Sequence, residues 1–271
     1  MPLAIDTVAG FAASGTVAAA VVPFTPVQGD SFAVRNFNPP AAAYLDLLMS
    51  SLLQVNPVRL RSPMLHDNVQ GLRFQPLASD GSNLLTASFQ QPLQAQDTLI
   101  AELLVTTAPG ATENETIAWS IYYPDLPGSA ARLYSPGDIQ GNIKNLWSLP
   151  VVITPSATVG LWTSAAINSV YDLFQANTDY AILGYELSTG VTAVAVRGPD
   201  TANLRVGGPG MSDIYKTRQW YADMTMWRNT PHIPVINSAN KSATFIDISS
   251  RLIAGAVTIT LTLAELAKNL T

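Results

Sequence analysis

Residues 59–74 read RLRSPMLHDNVQGLRF and set His66 beside Asp67, framed by Arg59, Arg61 and Arg73, in a chain with only two histidines. A histidine acting as a general base needs a carboxylate to orient one ring nitrogen and a nucleophile within reach of the other. Adjacent residues on an extended chain project to opposite faces, so His66 and Asp67 meet only where the backbone turns. Pro63 and Gly71 predict a corner between two strands, with the side chains of His66, Asp67 and Asn68 bonding local backbone. The stretch therefore reads as strand, corner, strand rather than as a reactive dyad.

The second histidine, His232, lies between Pro231 and Pro234, which predicts a stiff extended segment. Two histidines 166 positions apart and no cysteine leave no HExxH, no zinc quartet and no thiolate site. A G-x-S-x-G elbow is also missing. A two-carboxylate glycosidase needs no fixed spacing, and Glu102 with Glu186 is the pair to consider; acids on solvated strand faces are the simpler reading. The loop RGPDTANLRVGGPG (197–210) has no lysine after its glycines, and Pro209 interrupts them, so it matches neither phosphate-binding pattern. Asp200, Gly207, Gly208 and Gly210 predict tight turns and close backbone approach instead. SPGDIQGN (135–142) lacks the acids of a calcium loop. Sequons at Asn114, Asn240 and Asn269 carry no weight without a signal peptide. No catalytic, cofactor or metal residues are assigned, and the chain is not read as an enzyme.

What positions these residues is mostly strand. Period-two or short apolar runs occur at 16–24, 31–37, 56–62, 69–76, 83–89, 97–107, 115–123, 146–154, 180–188, 191–198, 242–249 and 256–264, separated by Pro-Gly, Asp-Gly and Ser-Thr-Gly turns. Helical spacing is read over 39–54, 163–175 and 212–229, the last with Trp220, Tyr221, Met224 and Trp227 on one face, and a closing turn over LAELAKNL. The expected fold is mainly β: a jelly-roll barrel or sandwich with a few short helices, the double jelly roll being the alternative. The organisation read from the chain is an N-terminal arm with the first strands at 1–37 and a body at 38–271, with a protruding β-rich insertion at about 107–146.

Of 271 residues 48% are hydrophobic and only 12% charged, well below roughly 25% in an average soluble domain. Such a surface is solvated by Ser, Thr, Asn and Gln or is hidden against neighbours. The net charge is -5, and the first 34 residues hold no Lys or Arg, so the clustered cations needed to neutralise phosphates are missing and direct nucleic-acid binding is not expected. Asp46 and two serines break the most apolar run, AAAYLDLLMSSLL at 41–53, so no bilayer-spanning segment is read. The first residues lack the positive region of a secretory signal.

RLRSPMLHDNVQGLRF, YAILGYELSTGVTAVAVRGPDTANLRVGGPG (180–210) and TPHIPVINSANKSATFIDI (230–248) together resemble jelly-roll capsid proteins of icosahedral, membrane-containing bacteriophages. The resemblance implies a coat protein that self-assembles with copies of itself or a companion coat protein into a virus shell, made in the host cytoplasm, located in the virion, touching an internal viral membrane and needing no cofactor. The arm, the 39–54 segment and the 198–210 loop are the expected contact surfaces, and the body is expected to fold without residues 1–30. The competing reading is a β-sandwich carbohydrate-binding or adhesion module with Trp119, Trp147, Trp162, Trp220 and Trp227 as groove candidates.

Overall fold

In the computed structural model the described residues are 3–12, 21–51, 56–63, 71–74, 82–85, 91–105, 115–156, 158, 160–188, 191–210, 217–250 and 255–270. They are mainly β. The first ten strands are β1 (Ala4–Ala12), β2 (Val21–Pro23), β3 (Thr25–Pro26), β4 (Ala43–Ser51), β5 (Val58–Arg61), β6 (Leu72–Phe74), β7 (Ser82–Leu85), β8 (Gln91–Leu93), β9 (Ile100–Leu104) and β10 (Glu115–Tyr123). After them come β11 (Leu133–Tyr134), β12 (Ile143–Ile153), β13 (Trp162–Ala166), β14 (Asp179–Leu187), β15 (Ala193–Arg197), β16 (Val206–Pro209), β17 (Ile233–Asn237), β18 (Phe245–Ser249) and β19 (Val257–Leu266). Two α-helices are described, α1 (Pro136–Ile139) and α2 (Trp220–Arg228).

Strand order shows that one pattern occurs twice. In the first half one sheet runs β3-β1-β10-β4-β7, with β8 also on β4, and the facing sheet runs β2-β9-β5-β6. In the second half the sheets run β11-β17-β14-β19-β12 and β13-β18-β15-β16. With β3, β8 and β11 set aside as short additions, each half has eight antiparallel strands. The first, eighth, third and sixth share one sheet; the second, seventh, fourth and fifth share the other. That is the jelly-roll order. The chain is thus a double jelly roll, the alternative of the sequence reading, and among the described residues the sheets face each other as sandwiches rather than closing into barrels.

The stretch 1–37 contains β1, β2 and β3, and β1 lies between β10 and β3 with eight of its nine residues buried. Within 107–146, Glu115–Tyr123 forms β10, buried along its whole length between β1 and β4.

Two expected helices are strands or loops, for identifiable reasons. Residues 43–51 form β4, whose side chains feed two cores: Ala43, Leu45 and Leu48 pack inside the first roll, while Leu47 and Met49 join the core that continues into the second. A strand covered on both faces is apolar almost throughout, so its periodicity cannot be told from that of a buried helix. Residues 162–166 form β13, and the chain then leaves regular structure with Ile167 and Phe174 buried but Val170, Tyr171 and Leu173 exposed. Of the third expected helix, Trp220–Arg228 is helical, with Trp220, Tyr221 and Met224 buried and Trp227 62% exposed. LAEL completes β19 instead of turning.

Candidate functional site: the seam between the rolls

The outer face of the β3-β1-β10-β4-β7 sheet lies against the outer face of the β13-β18-β15-β16 sheet. Small side chains let the backbones approach. A Cβ on Gly207 would come within 2.5 Å of Thr7 Oγ1, so only glycine fits opposite β1. The Gly207 amide donates to Thr7 Oγ1 at 3.0 Å, Thr7 N donates to Arg205 O at 2.9 Å, and the Thr7 and Ser120 hydroxyls bond at 2.8 Å. Thr116 and Thr192 hydroxyls also bond across the seam. Around this polar strip Leu3, Ile5, Ala9, Leu47, Met49, Ala118 and Tyr122 merge with the core of the second roll. The glycines of the 198–210 loop therefore serve close packing, as expected from sequence. Gly210 is held equally tightly, its missing Cβ facing the Val191 carbonyl.

Two charged clusters tie the seam. At the first, Arg205 Nη1 donates to Asp30 Oδ1 at 2.7 Å and its Nε to Asp247 Oδ2 at 2.9 Å, so one guanidinium bridges a carboxylate from each roll. Asp247, fully buried, also accepts from Arg197 Nε at 2.7 Å and from Ser164 Oγ at 2.7 Å. Asp30 accepts from Ala9 N at 2.7 Å and Trp162 Nε1 at 2.8 Å, and Arg205 lies over the Trp162 ring at 4.7 Å. Burial pushes the Asp30 carboxyl above its usual range against the pull of these donors.

The second cluster holds the described histidine. The register of β4 against β10 shifts so that Ser120 faces Leu47 and Ile121 faces Leu45, leaving Asp46 as a bulge residue. Its Oδ2 lies 3.0 Å from His232 Nε2, its Oδ1 3.6 Å from Arg228 Nε, and its backbone carbonyl accepts from Arg228 Nη2. His232 Nδ1 lies 2.8 Å from the Thr230 carbonyl, and the ring stacks on Tyr122 at 6.2 Å. A carbonyl and a carboxylate both accept, so each ring nitrogen of His232 faces an acceptor of the protein. The pair has the orientation of a base and its orienter, yet both ring nitrogens are engaged by protein and both side chains are 5% exposed or less. It locks β4 of one roll to the α2–β17 connection of the other.

The other chemically promising residues separate. His66 and Asp67 lie outside the described residues. Glu102 sits in the first roll between Arg59 and Arg61, at 2.6 and 2.9 Å, while Glu186 sits in the second, paired with Arg218 at 2.6 Å. Asp138 accepts from Ser135 N and Oγ at 2.8 and 2.6 Å, so the 135–142 stretch is a helix cap. Asp200 accepts from Asn237 N and Asn240 Nδ2. Among the tryptophans, Trp119 and Trp220 are buried, Trp147 and Trp162 pack partly buried on the core, and Trp227 alone is mostly exposed. Among the described residues no group of three or more His, Asp or Glu is placed to hold a metal ion. A cavity of about 290 Å³ under the 29–36 segment is lined by Asp6, Arg35 and Tyr123, with Arg35 Nε already bonded to Asp6 at 2.6 Å.

Sequence reasoning passed over Asp30, Asp46, Arg205 and Asp247. The available signal was the scarcity of charge. An acid inside FIDIS, or an arginine ending AVAVR, stands in an apolar strand of a chain with few ions, where burial requires a partner.

Glu102 supplies a pH test. Hydrogen bonds from Arg61, and then from Arg59, hold its carboxyl below the usual range against the opposing effect of burial. A lowered folded value means that the stabilisation is present above the unfolded value and lost as pH falls through the folded one. Glu102→Gln is expected to cost about 1 kcal/mol near neutral pH, reduced by solvent reaching the arginines. The gap to the parent should close in urea titrations taken below pH ~4. A gap that stays constant with pH would refute this coupling.

No family model matches the chain, and no curated protein matches it. Among solved structures it aligns with the PBSX exported protein XepA at 6% identity, covering 96% of this chain and 86% of that one, with a TM-score of 0.28. It also aligns with the PBCV-1 virus capsid at 8% identity, covering 97% and 94%, with a TM-score of 0.21. A further alignment is with PBCV-1 VP54, fitted into a reconstruction of the virophage Sputnik, at 7% identity, 97% and 94% coverage and a TM-score of 0.22. Scores this low carry no functional argument.

Proposed function

We propose that this chain is a structural coat subunit without catalytic activity, which assembles with copies of itself or a companion coat protein into an icosahedral virus shell over an internal membrane, without binding the genome directly. The observation that carries this reading is the seam. It joins two unlike faces, one from each roll, and among the described residues no other sheet packs on the complementary unlike pair. In the second roll that face is the outside of β12 and β19, with Leu146 61% and Val152 41% exposed and Thr258, Thr260 and Thr262 beside them. In the first roll it is the outside of β5 and β9, where Arg59 and Arg61 surround Glu102, as Arg197 and Arg205 surround Asp247 in the seam.

A second copy, set in the relation that the two rolls already have, covers both faces. Contacts between unlike surfaces close into rings when the rotation permits. The few charges of the chain agree with surfaces that are hidden in an assembly, because apolar and main-chain area supplies the affinity there.

Light scattering on the purified chain, followed by negative-stain imaging, should show closed oligomers that dissociate in a Leu146→Glu/Val152→Glu variant of unchanged melting temperature. A parent chain that stays monomeric at high concentration, alone and with a companion coat protein, would refute the reading.

A further inference from the structure

We infer that the end of the second roll formed by the β13–β14 loop, the β17–β18 turn and the last residues is a lipid-contacting surface that inserts Val170, Tyr171 and Leu173 into a membrane interface. The inference deepens the coat reading by placing its membrane contact, and it rests on that reading for which membrane is touched.

Three large apolar side chains within four consecutive residues stand in solvent: Val170 at 39% exposure, Tyr171 at 55% and Leu173 at 53%. Phe174, the next residue, is buried against Trp147 and Tyr180, so the loop is pinned at its base and presents its tip outward. The chain has only four lysines, and three surround this end: Lys144 at the start of β12, Lys241 in the turn after β17, and Lys268 after β19. Lys241 Nζ bonds Asp172 at 2.6 Å, joining the turn to the loop. Lys268 N donates to Asn142 Oδ1 at 2.9 Å and Asn269 Nδ2 to the Asn177 carbonyl at 2.9 Å, joining the last residues to the start of β12 and the base of the loop.

The carboxylates here are committed: Asp172 to Lys241, Glu265 to Lys144 at 2.6 Å, and Asp179 to Arg132. Lys268 is exposed and has no carboxylate partner among the described residues. In a chain of net charge -5, this end is therefore close to neutral and carries its lysines outward, so it does not oppose an anionic headgroup layer as the rest of the chain would.

A tyrosine flanked by aliphatic residues and ringed by lysines matches the depth profile of a bilayer interface. The ring sits at the headgroups, the aliphatic groups lie below, and the lysine stems reach back to water. A second copy of the chain is the poorer occupant. The three side chains offer roughly 300 Å² of exposed area, against about 800 Å² per partner in a standard protein interface.

The test is sedimentation of the full chain with vesicles of three parts phosphatidylcholine to one part phosphatidylglycerol, with oligomeric state measured in parallel. The parent should bind, and Tyr171→Ser/Leu173→Ser should bind about fivefold less or weaker still, with unchanged melting temperature and assembly. Lys144→Glu/Lys268→Glu should lose binding on the mixed vesicles while keeping any affinity for phosphatidylcholine alone. A parent that does not sediment with vesicles, or a serine variant that sediments equally, overturns the inference. So does a serine variant that fails to assemble while still binding lipid, which would give this end to contacts between copies. A chain that is monomeric in every condition yet binds vesicles through this loop would sink the coat reading and keep the lipid contact.

Discussion

Asp247→Ala is expected to cost about 2–3 kcal/mol, because it removes a fully buried acceptor from two arginines, a loss that solvent reaching the guanidiniums only partly offsets. Arg197, Arg205 and Ser164 all donate to this one carboxylate, which is fully buried on β18. Without it Arg205 keeps Asp30 on the far side of the seam, while Arg197 keeps only its position over the Phe245 ring at 5.2 Å. The cost belongs to half-buried arginines left without their acceptor, not to the net worth of the pair, so Asp247→Asn should cost less by retaining a carbonyl acceptor. Thermal melts should place Asp247→Ala on the order of 10 °C below the parent. An Asp247→Ala protein that melts with the parent would show that solvent enters the seam and that the cluster is not what joins the rolls.

Removal of residues 1–12 is expected to abolish the folded state of the first roll. The expectation that the body folds without residues 1–30 is thereby reversed, and the reason is where β1 lies. It pairs along its full length with β10, sends Ala4, Val8 and Ala12 into the core of the first roll, and sends Leu3, Ile5 and Ala9 into the seam. Full burial of Leu3, Ile5 and Val8 alone is worth roughly 1.5–3 kcal/mol each. The sum approaches the whole stability of a typical domain, about 5–15 kcal/mol. The truncated chain should be insoluble, or should lack a cooperative transition by circular dichroism. A soluble truncation that melts cooperatively near the parent temperature would return these residues to the role of a detachable arm.

Strand content was legible because period and punctuation are local. Glu115–Tyr123 and the strands near 146–154, 180–188 and 256–264 stand where alternating or apolar runs are bounded by Pro, Gly and Asp turns. The glycines at 207, 208 and 210 were legible as close approaches because no other residue type marks that need so directly.

What the sequence could not tell was which faces would be covered twice. β1 looked like an arm and β4 like a helix for the same reason: each is buried on both sides, one side by its own roll and the other by its neighbour, and double burial erases the alternation that marks a strand. The division into two equal rolls was hidden as well, because strand order arises from pairings between residues far apart, such as Ala4 with Tyr123 and Trp147 with Leu263. The clusters of Asp30, Arg205 and Asp247, and of Asp46 and His232, join residues 42 to 186 positions apart. Residue types and periods are properties of a segment and can be read along the chain; which acid meets which base across a seam is decided only when two sheets choose to lie against each other.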